Sequence, residues 1–237
     1  MIPQRPLKYI ISFLFLMSIW VLPAQNQEKD SIQIDSTRIT NWGLRVGVNL
    51  IPSIQGWVQG ANQAVDLIAD YRVSKNWYIA SEYGYNTYLG EEDFYDYTTQ
   101  GNYFKLGFNY NTYQNWLDMN NEIYVGGRYA YANFTQQVTR VTEYNYGDYF
   151  PDNTVYPDFA KSPKLGAHWL EFVLGLKVET FKNLFLGAQV GFSKIIHEQQ
   201  PENFENFYIP GIGKTSINNI GTTFSYTVSY LIPFKKK

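Results

Sequence analysis

The chain has 237 residues, a formal net charge of −2 and a pI near 5.7, a balance that argues against a nucleic-acid surface, which would carry a basic stripe. It contains no cysteine, which excludes disulfides, thiolate metal sites, cysteine nucleophiles and a lipid anchor on an N-terminal cysteine. Aromatics supply 18% of the residues, with 21 tyrosines and 18 glycines, against 17% charged; this length and composition suit one tyrosine-rich β domain.

The first residues read as an export signal. Arg5 and Lys8 precede the apolar run 9–22, and Pro23-Ala24 offers a small residue for cleavage before Gln25. A membrane-spanning helix is the competing reading, but the run falls short of the ~20 apolar residues a bilayer core requires. Residues 1–24 are therefore expected to be a cleaved signal peptide, and the polar stretch 25–40 a periplasmic lead-in.

From residue 41 the pattern alternates with the period of two that belongs to strands. Trp42, Leu44, Val46, Val48 and Leu50 share one face opposite Gly43, Arg45, Gly47 and Asn49, and Pro52 ends the run. After a loop around Gly56, Gly60 and Asn62, a second strand sets Val65, Leu67, Ala69, Tyr71 and Val73 against Asp66, Asp70 and Arg72. Ser74-Lys75-Asn76 predicts a tight turn into a third strand over 77–88, with Ile79, Tyr83 and Tyr85 opposite Ala80, Glu82, Gly84 and Asn86. The acidic segment 89–102 is too polar for hydrocarbon and is expected to be a loop outside the bilayer. Phe104, Leu106, Phe108 and Tyr110 then face away from Lys105, Gly107 and Asn109; a link over 111–120 leads to Ile123, Val125, Tyr129 and Tyr131, opposite Tyr124, Gly126, Arg128 and Ala130. Residues 137–164, with Pro151, Pro157 and Pro163, predict the longest loop.

The clearest signal is the hairpin over 169–196. Leu170, Phe172, Leu174, Leu176 and Val178 oppose Glu171, Gly175, Lys177 and Glu179; after 180–183, Leu184, Leu186, Ala188, Val190 and Phe192 oppose Gly187, Gln189, Gly191 and Ser193. One face is apolar and the other is glycine and charge, the composition of a small barrel with lipid outside and a polar lumen. Residues 197–216 predict a fourth loop. The last strand, 220–234, sets Thr222, Phe224, Tyr226, Val228, Tyr230, Ile232 and Phe234 outward, with the ladder fraying at Pro233 and the basic tail 235–237 beyond it.

The connections alternate long and short, with the short ones after the second, fourth and sixth strands, as expected when both termini lie in the periplasm. Open edges do not persist in lipid, so the sheet must close. The predicted fold is all-β: an eight-stranded, antiparallel, up-and-down transmembrane β-barrel over residues 41–234, located in the cell outer membrane. Its lumen is too narrow for a wide aqueous channel. The inward residues Arg45, Asp66, Asp70, Arg72, Glu82, Lys105, Arg128, Glu171, Lys177 and Glu179 form a predicted polar network in which the charges neutralise one another as an internal plug. A proton or ion path through the same charges is the alternative.

Catalytic chemistry finds little support. The chain has two histidines: His168 is placed by parity on the lipid side near the outer rim beside Trp169, with no serine next to it, and His197 begins a loop. Glu91-Glu92-Asp93 reads as a solvated loop rather than a calcium site, and no phosphate loop or nucleophile elbow occurs. No catalytic residue, metal or cofactor is expected.

The segments DLIADYRV (66–73), NWLDMNNEIYVGGRY (115–129), AHWLEFVLGLKVE (167–179) and PENFENFYIPG (201–211) resemble a family of small Gram-negative outer-membrane β-barrel proteins of unknown function. The architecture is similar to that of the eight-stranded barrels of the OmpA/OmpX type. The resemblance implies no activity and carries no functional residue. The aromatic, asparagine-bearing loop residues Asn203, Phe204, Asn206, Phe207 and Tyr208 are candidates for an interaction site, either folding over the mouth or packing simply as a loop. The expected role is structural or interactive, with outer-membrane lipid, the barrel assembly machinery during insertion, and a protein or glycan at the outer loops as partners. A transport or assembly accessory is the alternative, followed by a lipid-modifying enzyme.

Overall fold

Alternating sequence produces nine antiparallel strands among the residues that the computed structural model describes, namely 41–52, 63–113, 120–143, 154–202, 204–213 and 219–236. They are β1 (Asn41–Asn49), β2 (Gln63–Arg72), β3 (Trp77–Glu91), β4 (Tyr95–Asn111), β5 (Glu122–Glu143), β6 (Thr154–Lys161), β7 (Leu165–Phe181), β8 (Leu184–Glu198) and β9 (Ile220–Lys236). The predicted signal peptide, the lead-in and the loop around Gly56, Gly60 and Asn62 lie outside the described residues.

Neighbouring strands pair in chain order from β1 to β5, then β5 with β7, β7 with β8, β8 with β9, and β9 back with β1. Eight strands thus close a ring, which removes the free edges a sheet cannot leave in lipid. Closure runs through pairs such as Arg45 with Leu231 and Gly47 with Ser229.

Among the described residues, β6 stands outside the ring and pairs only with the far half of β5, Val141 opposite Tyr156. This corrects the expectation of a single long loop over 137–164, and the segment 89–102 differs from expectation in the same way. β3 continues to Glu91 and β4 starts at Tyr95, with Tyr88 opposite Thr99, so only residues 92–94 turn. The physical reason is common to both. Beyond the apolar band both faces of a ribbon meet polar surroundings, so the hydropathy contrast fades while the backbone ladder and the tyrosines and threonines still favour strand. β9 also outlasts its expected end at Phe234: Trp42 pairs with Lys235 and Asn41 with Lys236. The register shifts there, with Gly43 opposite Pro233, so Phe234 is the extra residue of a bulge and proline sits where the ladder is already interrupted.

The outer face is apolar along every ring strand. Val46, Leu67, Ile79, Phe108, Ile123, Leu174, Phe192 and Ile232 are all exposed, an area far beyond what a water-soluble surface carries contiguously. Along β7 the band runs from Leu170 to Val178; at about 3.3 Å per residue and a tilt near 40° this covers roughly 20 Å of height, close to the ~25 Å band of transmembrane barrels. Aromatics mark both margins. Trp77 packs on Phe108 and Tyr110 near the end that carries the short turns, and Tyr129 and Tyr131 pack on His168 toward the other, the positions of the two girdles.

Candidate functional site

The lumen is where the chain concentrates its buried chemistry. Because side chains alternate along each strand, every second residue is driven inward, and there the charges form two tiers. In the tier nearer the short turns, Arg45 on β1 donates through Nε (2.9 Å) and Nη2 (2.6 Å) to Asp70 Oδ1 on β2, and through Nη2 (2.9 Å) to Glu122 Oε2 on β5. Lys177 on β7 binds the other Asp70 oxygen. The Arg45 guanidinium also lies 4.8 Å from the Phe185 ring centre. Such charge-assisted, multidentate contacts are what make buried ions tolerable.

In the second tier, Lys105 on β4 reaches Glu171 Oε2 on β7 at 2.9 Å and Glu82 Oε2 on β3 at 3.7 Å. Glu171 further accepts from Thr223 Oγ1 at 2.8 Å. Arg128 on β5 donates to the Phe108 carbonyl and Asn109 Oδ1, both at 2.7 Å, with its Nε 3.8 Å from Glu82. Gln189 links the tiers, donating to Glu82 at 3.2 Å and accepting from the Tyr124 hydroxyl at 2.9 Å. A side chain at Gly175 would overlap the Tyr124 ring, so that glycine makes the room this bridge uses.

The structure thus brings Arg45, Asp70, Lys177, Lys105, Glu82, Glu171 and Arg128 together. Asp66 lies above them, held by Asn49 Nδ2 at 3.2 Å. Arg72 and Glu179 act elsewhere: Arg72 donates to the Ser74 and Lys75 carbonyls of the β2–β3 turn, and Glu179 accepts from the Asn183 N–H at 2.9 Å, bracing the β7–β8 turn where Asn183 adopts φ 65°. Glu122, 5% exposed and a full partner of Arg45, was not among the predicted residues. Its parity with Tyr124 and Arg128 is the signal that identifies it.

Above the charges the lumen turns apolar. Phe134, Leu165, Trp169 and Ile195 project inward and close around Ile209 and Ile212 from the loop that follows β8. Trp169 is therefore an interior residue and not a rim residue, as its odd-numbered parity with Glu171 requires. The loop enters as a tight turn: the Ile212 N–H donates to the Ile209 carbonyl at 3.1 Å across Pro210-Gly211, and Gly211 takes φ 86°, a proline-glycine geometry that non-glycine residues resist. Tyr208 stacks on Tyr88 at 4.2 Å, its carbonyl accepts from Gln136 Nε2 at 2.7 Å, and its hydroxyl accepts from Asn86 Nδ2 at 3.1 Å. Phe207 packs on Tyr95, Tyr97 and Phe204, and Asn206 donates to Glu198 Oε2 and the Gln199 carbonyl, both at 2.9 Å. The candidate loop residues are thus turned onto the barrel itself; Asn203 lies outside the described residues. Further out, Arg140 on β5 grips Asp96 on β4 at 2.6 and 2.9 Å and holds its carboxyl below the usual range.

On the outer wall, the Tyr129 hydroxyl and His168 Nδ1 share a hydrogen bond of 2.7 Å, and His197 lies across the strand from His168.

The sequence matches the family described as "Domain of unknown function (DUF6048)" over residues 6–237. No curated protein matches the chain. Among solved structures, Ail, the attachment invasion locus protein of Yersinia pestis, is similar at a TM-score of 0.41 and 10% identity, over 81% of this chain and 100% of that one. CarO of Acinetobacter baumannii is similar at 0.38 and 10% identity over 81% and 98%, and CarO2 of the same organism at 0.36 and 11% identity over 82% and 99%.

Proposed function

We propose, from the premise that the chain belongs to the DUF6048 family, that it is a non-enzymatic outer-membrane barrel whose lumen is sealed and whose work is done by its outward hairpins and its wall. The observation that carries this reading is the inversion of the protein: apolar residues cover the outside of the ring while the ion-paired tiers and the Ile209–Ile212 turn fill its inside. An export signal in front of such a ring addresses it to the outer membrane of a Gram-negative envelope. The extended hairpins β3–β4 and β5–β6 continue past the apolar band on the side away from both ends of the ring, where they face the exterior.

The alternatives have less support. A conducting role requires a continuous open path, and the ion-paired tiers of Arg45, Asp70 and Glu122 and of Lys105, Glu82 and Glu171 occupy the lumen. A lipid-modifying role requires an activated side chain, whereas Glu171 and Asp70 are tied into ion pairs and His168 is engaged by Tyr129 on the lipid-facing wall. Epitope tags inserted at residues 146–150 and at Lys182-Asn183 test the reading. Antibody should reach the first on intact cells and the second only after the outer membrane is permeabilised. Equal labelling of both on intact cells would overturn it, as would recovery of the protein from the inner membrane.

A further inference from the structure

Among the described residues, the lumen holds one carboxylate more than its cations require. With Glu122 counted, Asp66, Asp70, Glu82, Glu122 and Glu171 face Arg45, Lys105, Arg128 and Lys177, while Arg72 and Glu179 are engaged at the turns. Asp70, Glu82, Glu122 and Glu171 each lie within ion-pair distance of a cation. Asp66 has no ion pair among the described residues, although it is only 6% exposed. Its Oδ1 has the Tyr103 hydroxyl beside it as a donor, short of regular hydrogen-bonding geometry, and makes no other hydrogen bond among the described residues. Nearby, Asn86 is 8% exposed and spends its amide N–H on Tyr208, leaving Oδ1 without a partner. Buried acceptors in this state are costly unless something donates to them.

Both residues line a cavity of about 340 Å³, whose walls include the aromatic rings of Tyr88, Tyr103 and Tyr208. Gly84 lets Asp66 and Tyr103 come together at its edge, because a side chain there would overlap both the Tyr103 ring and the Asp66 carboxylate. The cavity also reaches Phe224, which is 63% exposed on the outer apolar face. On that side the β1–β9 pairing ends at Asn49 opposite Thr227, and β9 extends seven residues further to Ile220.

We infer that this cavity binds a primary ammonium group, which donates to Asp66 Oδ1 and Asn86 Oδ1 and lies against the tyrosine rings. The chemistry selects the class. An anion would meet Asp66 and Glu82, since Lys105, a cation on the same wall, is already paired with Glu82 and Glu171; an apolar group would leave both acceptors unmet, and a neutral hydroxyl would leave the charge uncompensated. An ammonium supplies several donors and the missing charge, and aromatic faces attract it. Two sources share this headgroup: a free small amine, and an ethanolamine lipid whose chains lie along Phe224.

The test uses the full-length protein in a neutral polyether detergent, titrated calorimetrically with ethanolamine and, separately, with 1-propanol as the uncharged isostere. Saturable ethanolamine binding without propanol binding is expected, weakened on the order of tenfold or more by Asp66→Asn, which removes the charged acceptor. A second arm incorporates the protein into nanodiscs of mixed phosphatidylethanolamine and phosphatidylglycerol and measures retained lipid by native mass spectrometry. Ethanolamine-lipid retention that Asp66→Asn abolishes, without binding of free ethanolamine, assigns the lipid as the source and supports the inference. If Asp66→Asn does not insert, Asn86→Leu, which keeps the charge and deletes the second acceptor, is read by the same criteria. Absence of binding in both arms overturns the inference, and so does binding that neither substitution weakens.

Discussion

Glu122→Gln isolates the turn-side tier, because it keeps shape and one acceptor while deleting a charge. In the native lumen Arg45 and Lys177 oppose Asp70 and Glu122, and the side chains of Arg45 and Glu122 are 4% and 5% exposed. After the substitution the tier retains two cations and one anion in a site almost withdrawn from water. Removing one partner of a buried pair costs about 3–5 kcal/mol. Asp70 still holds Arg45 at 2.6 Å and the glutamine still accepts, so the expected loss is nearer 2 kcal/mol. Adding Lys177→Met, at the position directly across the strand from Glu122, removes the surplus cation and leaves Arg45 and Asp70 neutral together. The double variant should therefore be more stable than the sum of the single costs by about 2 kcal/mol. The assay is urea-induced unfolding from lipid vesicles, followed by the heat-modifiable mobility of the folded barrel. Additivity within about 0.5 kcal/mol would mean that these charges do not form one unit, and the argument for the tier would fail.

In the same assay, Ile212→Ala, which empties part of the collar, should cost about 2–4 kcal/mol, whereas Ile196→Ala on the outer face, 59% exposed, should cost much less; comparable losses would contradict the inward placement of the loop. At the C-terminal end, deleting residues 235–237 removes the last ladder pairs below the bulge and should leave the yield of inserted, heat-modifiable protein nearly unchanged. Removing Phe234 as well should lower it sharply, because Phe234 projects from the bulge, 64% exposed, as an aromatic of the lipid face. Identical behaviour of the two truncations in outer-membrane fractions would show that the anchoring signal lies elsewhere.

The ring was legible wherever one face of a strand meets lipid and the other meets the lumen, because there the sequence must alternate strongly. Leu170 to Val178 against Glu171 to Glu179 is the plainest case. Legibility stops where that contrast stops. β6 and the outer ends of β3, β4 and β5 are bordered by polar surroundings on both sides, so Tyr95, Tyr97 and Thr99 read as loop although they are paired. The lumen shows a subtler limit. Parity identified most of the charged network but could not say which charges meet, since Asp70 with Lys177 and Lys105 with Glu171 join across the lumen rather than along the sheet. Glu122 was missed because it opens its strand, just past a link that reads as irregular. The collar was hidden by Trp169 and Val173, inward apolar residues that blur the polar face of β7. Its seal arrives from Ile209 and Ile212, which are distant in sequence from the walls they fill.

An arginine scan along the outer face of β7, with Leu170, Phe172, Leu174, Leu176 and Val178 replaced one at a time and reversible folding into vesicles measured for each, tests the central claim most directly. A lipid-facing strand predicts a depth profile: a loss of roughly 2–4 kcal/mol at Leu174, near the middle of the band, falling toward about 0–1 kcal/mol at Leu170 and Val178 near its margins. A flat profile, with Leu174→Arg costing no more than the end positions, would contradict the transmembrane barrel.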